Sequence, residues 1–126
     1  MKNPSERFIR YRFEELEVWS VGMRIVREAY KVTKLFPKSE AFALCDQLRR
    51  AATSITLNVA EGSGQPTKKG FAVYIHRAKS SALECVACLR IAVQEGYVKA
   101  SDTGKLEELL KEEYFKLIAL NKSLSQ

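Results

Sequence analysis

One histidine, one tryptophan, three prolines and three cysteines are all that 126 residues contain of these types. No apolar run is long enough to span a bilayer, and the opening MKNPSERFIRYRF lacks the apolar core of a signal peptide. The expected location is therefore the cytoplasm, with no membrane partner. Cys45, Cys85 and Cys88 are an odd set without framework spacing, as free thiols in a reducing compartment would be. His76 has no Ser or Cys partner set by spacing. No glycine-rich phosphate loop and no paired acid–base carboxylates occur. Cys85-x-x-Cys88 with His76 falls short of the four ligands of a closed zinc site. A redox C-x-x-C normally opens a helix behind a strand, whereas these thiols fall in mid-helix. The carboxylate and Glu-x-x-His pattern of di-iron bundles is missing. These shortages predict no catalytic residue, metal or cofactor, and a protein that is not an enzyme.

The scarce Pro and Gly fall mostly between periodic segments, and no segment alternates with the period of a strand. With 46% hydrophobic and 29% charged residues, the chain has the composition of one globular domain with a buried core. Residues 1–12 form an arm in which Lys2, Arg7, Arg10 and Arg12 face Glu6 alone, with Phe8, Ile9 and Tyr11 interleaved. It reads either as a frayed terminus or as a basic-aromatic strap for a polyanion.

Four helices follow, expected over about residues 14–35, 40–61, 68–95 and 102–124. In the first, Leu16, Trp19, Met23, Val26 and Tyr30 make a heptad-like stripe. Val18, Ile25, Ala29 and Val32 widen it beyond what one core needs, as an intersubunit face would. Glu14, Glu15 and Glu17 suit its positive end, and Phe36-Pro37 stops it. Ser39 is the expected N-cap of the second helix, whose stripe is Ala41, Cys45, Leu48, Ala52, Ile55 and Val59. Gly62 stands where a left-handed cap would end that helix. Thr67 caps the third, in which Phe71, Ile75, Ala78, Ala82, Cys85, Leu89 and Ala92 step by four and three without a break. Gly96 ends it. Ser101 or Asp102 caps the fourth, which buries Leu106, Leu109, Leu110, Leu117, Leu120 and Leu124. On its outer face Glu107–Lys111, Glu108–Glu112 and Glu112–Lys116 are four apart, a mostly paired charged surface. Four amphipathic helices with short links predict an all-α fold, a single antiparallel up-down-up-down four-helix bundle.

Beside the stripe of the second helix runs a polar file, Arg50, Ser54, Asn58 and Glu61. Antiparallel pairing places it across from Ser81 and Glu84 of the third helix. The expected arrangement is a partly buried structural network in which Arg50 meets Glu84. The alternative is that Asn58, Glu61 and the adjacent turn face a pore or ligand.

At this point the chain resembles a known family. The segments F-E-E-L-E-V-W at 13–19, Q-L-R-R-A-A at 47–52 and S-I-x-x-N-x-A-E-G at 54–62 carry the likeness. A-x-x-S-x-x-E at 78–84, and Phe71 after Lys68-Lys69, extend it. Together they are similar to the four-helix-bundle proteins encoded in bacterial 23S rRNA intervening sequences. The resemblance implies a homo-oligomeric ring, a pentamer. It also implies a fold similar to the accessory variability proteins of diversity-generating retroelements, which bind nucleic acid and a reverse transcriptase. The family name records where some of the genes lie, so it does not by itself imply rRNA binding.

The formal charge is +6. From Arg49 to Arg90, seven cations face only Glu61 and Glu84, while the fourth helix is slightly acidic. Arg49, Lys68, Lys69, Arg77, Lys79 and Arg90 are thus the candidate nucleic-acid contacts, directed at backbone and shape because no base-reading motif is visible. The expected function is a non-enzymatic adaptor binding RNA or DNA through a basic face on helices two and three. The alternative is a ring-forming scaffold for a protein partner, with the charge incidental.

Overall fold

The computed structural model describes residues 11–39 and 41–126, so the arm up to Arg10 lies outside the described residues, as does Glu40. The described residues form four α-helices, α1 (Glu17–Thr33), α2 (Phe42–Ser63), α3 (Lys68–Gln94) and α4 (Gly104–Leu124). Short 3-10 turns at Arg12–Glu15 and Ala100–Asp102 precede α1 and α4, and no strand occurs among the described residues. Each helix packs on its neighbours in the cycle α1–α2–α3–α4–α1. Short links make the neighbours antiparallel, so the fold is a four-helix bundle.

The file on α3 is the backbone of the core. Phe71, Ile75, Ala78, Ala82, Cys85, Leu89 and Ala92 are all buried. Opposite it lie Leu48, Ala52, Ile55 and Val59 of α2, each with no exposed surface. Burying side chains of Leu or Ile size contributes about 1.5–3 kcal/mol each, which holds the β-branched α2 helical against its middling propensity.

On α1 the buried residues are Val18, Val21, Gly22, Ile25, Ala29 and Val32. Met23 and Tyr30 of the expected main stripe are exposed, while Trp19 and Val26 are only partly covered. Both files are apolar, and close approach decides between them. A Cβ on Gly22 would lie 2.8 Å from Thr56 Cγ2, so α1 turns its glycine toward α2 and the neighbouring file goes with it.

Several helix ends also differ from expectation. Instead of starting at residue 14, α1 follows a break at Leu16, which is extended (φ −82°, ψ 135°). The break lets Phe13 fold back over Trp19, with ring centroids 4.6 Å apart at 62°. Glu14 is drawn into the 3-10 turn, where its carboxylate accepts the Tyr11 N–H at 2.8 Å. Ser39 does not cap α2. A turn in which the Ala41 N–H donates to Pro37 O at 3.0 Å intervenes, and buried Ala41 is the N-cap. Gly62 is not a left-handed cap, since it lies inside α2. A Cβ there would meet Tyr74 Cβ at 2.8 Å and Phe71 Cδ1 at 3.0 Å, so this glycine serves close packing on α3. The left-handed glycine is Gly96, with φ +74°. The Gly96 and Tyr97 N–H groups reach back to Val93 O and Ala92 O at 3.1 and 2.9 Å, a Schellman closure. Thr103, rather than Ser101 or Asp102, is the N-cap of α4.

Candidate functional site

The six basic candidates do not share one face. Arg49 turns toward α1, where its Nε–H donates to Thr33 Oγ1 at 2.8 Å and its guanidinium carbon lies 4.5 Å from the Tyr30 ring centre. Arg90 turns the other way and pairs with Glu107 on α4. Lys79 is eleven residues before Arg90, which at 100° per residue puts it on nearly the same flank of α3. Arg77 lies over Tyr74 at 4.7 Å. Both border an open groove between α2 and α3 that Arg50, Leu57, Asn58 and Glu61 also line. Lys68 and Lys69 occupy the first turn of α3, exposed.

One cation that periodicity did not bring into this set joins it in space. The Arg12 guanidinium lies 5.5 Å from the ring centre of Phe71, in the first turns of α3. Arg12 therefore stands beside the helix end that carries Lys68 and Lys69. Covalently it follows the segment containing Lys2, Arg7 and Arg10, whose own placement lies outside the described residues. From Lys68 to Leu83, α3 has no carboxylate.

The polar file divides. Ser54 Oγ and Ser81 Oγ are 2.9 Å apart, and Asn58 Nδ2 donates to Ser54 Oγ at 3.0 Å and to Ser54 O at 2.8 Å. This three-residue cluster bridges α2 and α3. Arg50 does not meet Glu84: its side chain is exposed, with Asp46 one turn earlier as its ion partner at 3.7 Å. Glu84 instead accepts from Gln47 Nε2 at 3.5 Å. Glu61 is exposed at the edge of the groove. The long side chains lie too far out for the interior network expected of them, and only the short Ser and Asn groups reach across the interface.

With the four-helix geometry in place, comparison of the sequence with protein families gives a match to the 23S rRNA-intervening sequence proteins over residues 14–119. The chain belongs to this family. No curated protein matches it.

One interior feature was not visible as a motif. Glu113 has no exposed surface, and neither carboxyl oxygen has a hydrogen-bond partner among the described residues. It occupies the core file of α4, between Leu110 and Leu117. The sequence signal was a gap: Leu106, Leu110, Leu117, Leu120 and Leu124 hold the four-three step only if position 113 is counted. Burial is the main cause that pushes its pKa up to about 8; Glu112 adds to this and Lys116 opposes it. It faces Gly22 of α1, where an added Cβ would lie 3.1 Å from Glu113 Oε2 and would also meet Thr56 Cγ2 of α2 at 2.8 Å. Lys116 itself bonds Glu17 Oε2 at 2.6 Å, tying α4 to the start of α1. That bond holds the Glu17 carboxyl below its usual range and raises the Lys116 ammonium.

Cys85 and Cys88 are buried free thiols, and burial pushes Cys85 up to about 12 and raises Cys88. Thiols so far from ionisation are poor nucleophiles and poor metal ligands. His76 is exposed on the outer side of α3. Among the described residues no group of three or more His, Cys, Asp or Glu side chains is placed to hold a metal ion. No helix among the described residues is long and apolar enough to cross a membrane.

Proposed function

We propose that this protein is a non-enzymatic, self-assembling adaptor that contacts the phosphates of RNA or DNA. The contact surface is narrower than a whole face of two helices. It consists of Lys68 and Lys69 at the start of α3, Arg12 beside them, and Arg77 with Arg50 along the α2–α3 groove. Arg49, Lys79 and Arg90 leave the set, because Arg49 turns toward α1 and Lys79 shares the flank of Arg90.

The observation that carries this reading is the seat of Arg12 over Phe71. It gathers charge from the N-terminal segment and from the α2–α3 turn at one end of the bundle. Two lysines in the first turn of a helix oppose the helix dipole, at about 0.3–1 kcal/mol each. A bound polyanion turns that cost into a gain, since backbone amides and lysines then face the same phosphates. Contacts of this kind are shape- and backbone-directed, so binding weakens steeply with salt.

A second reading has its own observation. Leu83 and Phe115, both at least half exposed, border a cleft between α3 and α4. Apolar surface there suits association with another protein chain. In the adaptor reading it serves self-assembly, the resemblance pointing to a pentamer; in the scaffold reading it recruits a different protein and the basic charge is incidental. Exchanging Lys68 and Lys69 for Glu separates the two, because polyanion binding then weakens and its salt dependence becomes shallower while the assembled mass stays unchanged. Unchanged RNA binding in that variant sinks the adaptor reading.

A further inference from the structure

At the opposite end of the bundle from Lys68, the end of α1, the link and the start of α2 enclose a cleft of about 450 Å³. That volume is in the range of small-molecule sites. We propose that this cleft binds a nucleoside monophosphate, a phosphate monoester that carries an aromatic base, with the phosphate on Arg49 and the base against Phe42.

Arg49 is held for this in advance. The Thr33 hydroxyl donates to Ala29 O at 2.8 Å, which leaves its oxygen free to accept the Arg49 Nε–H at 2.8 Å. The Tyr30 ring supports one face of the guanidinium. The two terminal amino groups keep four N–H donors, and none has a protein acceptor among the described residues. A fixed guanidinium fork with free donors is the geometry that recognises phosphate or carboxylate in a bidentate manner.

Lys34 and Lys38 line the same cleft, and no carboxylate among the described residues does; Glu40 lies outside the described residues. Three cations exceed what a single carboxylate needs and suit a dianion. The other wall is apolar. Phe36 is buried, whereas the Phe42 ring is 75% exposed, more than any other large apolar residue among those described. An exposed aromatic ring beside clustered cations offers stacking for a base next to its phosphate.

Cys45 also lines the cleft and is half-buried, whereas Cys85 and Cys88 are buried. Its thiol is therefore a local reporter. The experiment follows alkylation of Cys45 by iodoacetamide in the folded protein, by peptide mass mapping, against adenosine 5′-monophosphate, adenosine and inorganic phosphate. The nucleotide is expected to slow Cys45 alkylation several-fold at millimolar concentration. Adenosine alone gives no protection, and phosphate alone requires about tenfold more ligand.

Phe42→Ser removes an exposed ring, so the bundle stays folded, and it weakens nucleotide protection about tenfold. Arg49→Lys keeps the charge but loses the fork, and weakens it by a similar factor. The Lys68→Glu, Lys69→Glu variant retains full protection, so this site and the polyanion surface fail or stand separately. Absence of protection at 10-fold molar excess over a millimolar range, or equal protection of the Phe42→Ser protein, overturns the proposal. Phosphate protecting as well as the nucleotide overturns the base-stacking half and leaves a bare anion site.

Discussion

Gly22 and Glu113 face each other across the α1–α4 interface: a Cβ on Gly22 would lie 3.1 Å from Glu113 Oε2 and 2.8 Å from Thr56 Cγ2. The glycine makes room for a carboxyl group that has no exposed surface and no hydrogen-bond partner among the described residues. Gly22→Ala is therefore expected to destabilise the protein, although alanine is the better helix former by about 1 kcal/mol. Overpacking at a site with two close neighbours costs roughly 1–3 kcal/mol and outweighs that gain. Thermal unfolding of the variant checks the sign; a higher Tm would show that the α1–α2–α4 contact is looser than described.

The raised pKa of Glu113 fixes a pH dependence. The folded state holds this proton to about pH 8, and the unfolded chain releases it near the ordinary value of 4.5. Between those values the native state binds more protons than the unfolded state, so stability falls as pH rises and levels off above about 8. The slope for one such group is about 1.4 kcal/mol per pH unit at most. Glu113→Gln removes the titration. Urea unfolding from pH 5 to 9 should show a marked decline in the parent protein and a flatter profile in the variant. Parallel profiles would mean that Glu113 is ionised in the folded bundle.

Arg50→Ala should change stability by no more than about 0.5 kcal/mol, because the Arg50–Asp46 pair is exposed and one turn apart on the same helix. Leu89→Ala, in the fully buried file of α3, should cost about 2–5 kcal/mol. Chemical denaturation of both gives the contrast. A large loss at Arg50 would restore a buried ionic network between α2 and α3.

Thiol chemistry should sort the cysteines by burial. Cys45 is expected to react with a thiol reagent in the native protein, and Cys85 and Cys88 only on unfolding. Time-resolved labelling with mass mapping reads this directly; fast native reaction at Cys88 would place that thiol outside the core.

How far the sequence could be read varied with the helix. On α3 one apolar file holds a strict four-three step, so all seven of its positions were legible as core, and Cys88 beside it is buried as well. On α1 two apolar files lie side by side, and the choice rests on Gly22, whose meaning depends on a neighbour helix that periodicity does not contain. Glu113 was hidden because a glutamate among charged neighbours reads as surface; the interrupted leucine file was the available sign. The basic residues were legible as a charge imbalance but not as a surface. Three arginines lie over rings, Arg49 on Tyr30, Arg77 on Tyr74 and Arg12 on Phe71, while Arg50 and Arg90 meet carboxylates; none of these partners follows from charge alone.

The adaptor reading is tested most directly by RNA binding across a salt series, on parent protein and on the Lys68→Glu, Lys69→Glu variant, with assembled mass followed by light scattering. The account predicts affinity that falls linearly in log–log form with salt, and a slope shallower by about 1.5 in the variant, at unchanged mass. Binding that is absent at low salt, or that is equal in the two proteins, would contradict it.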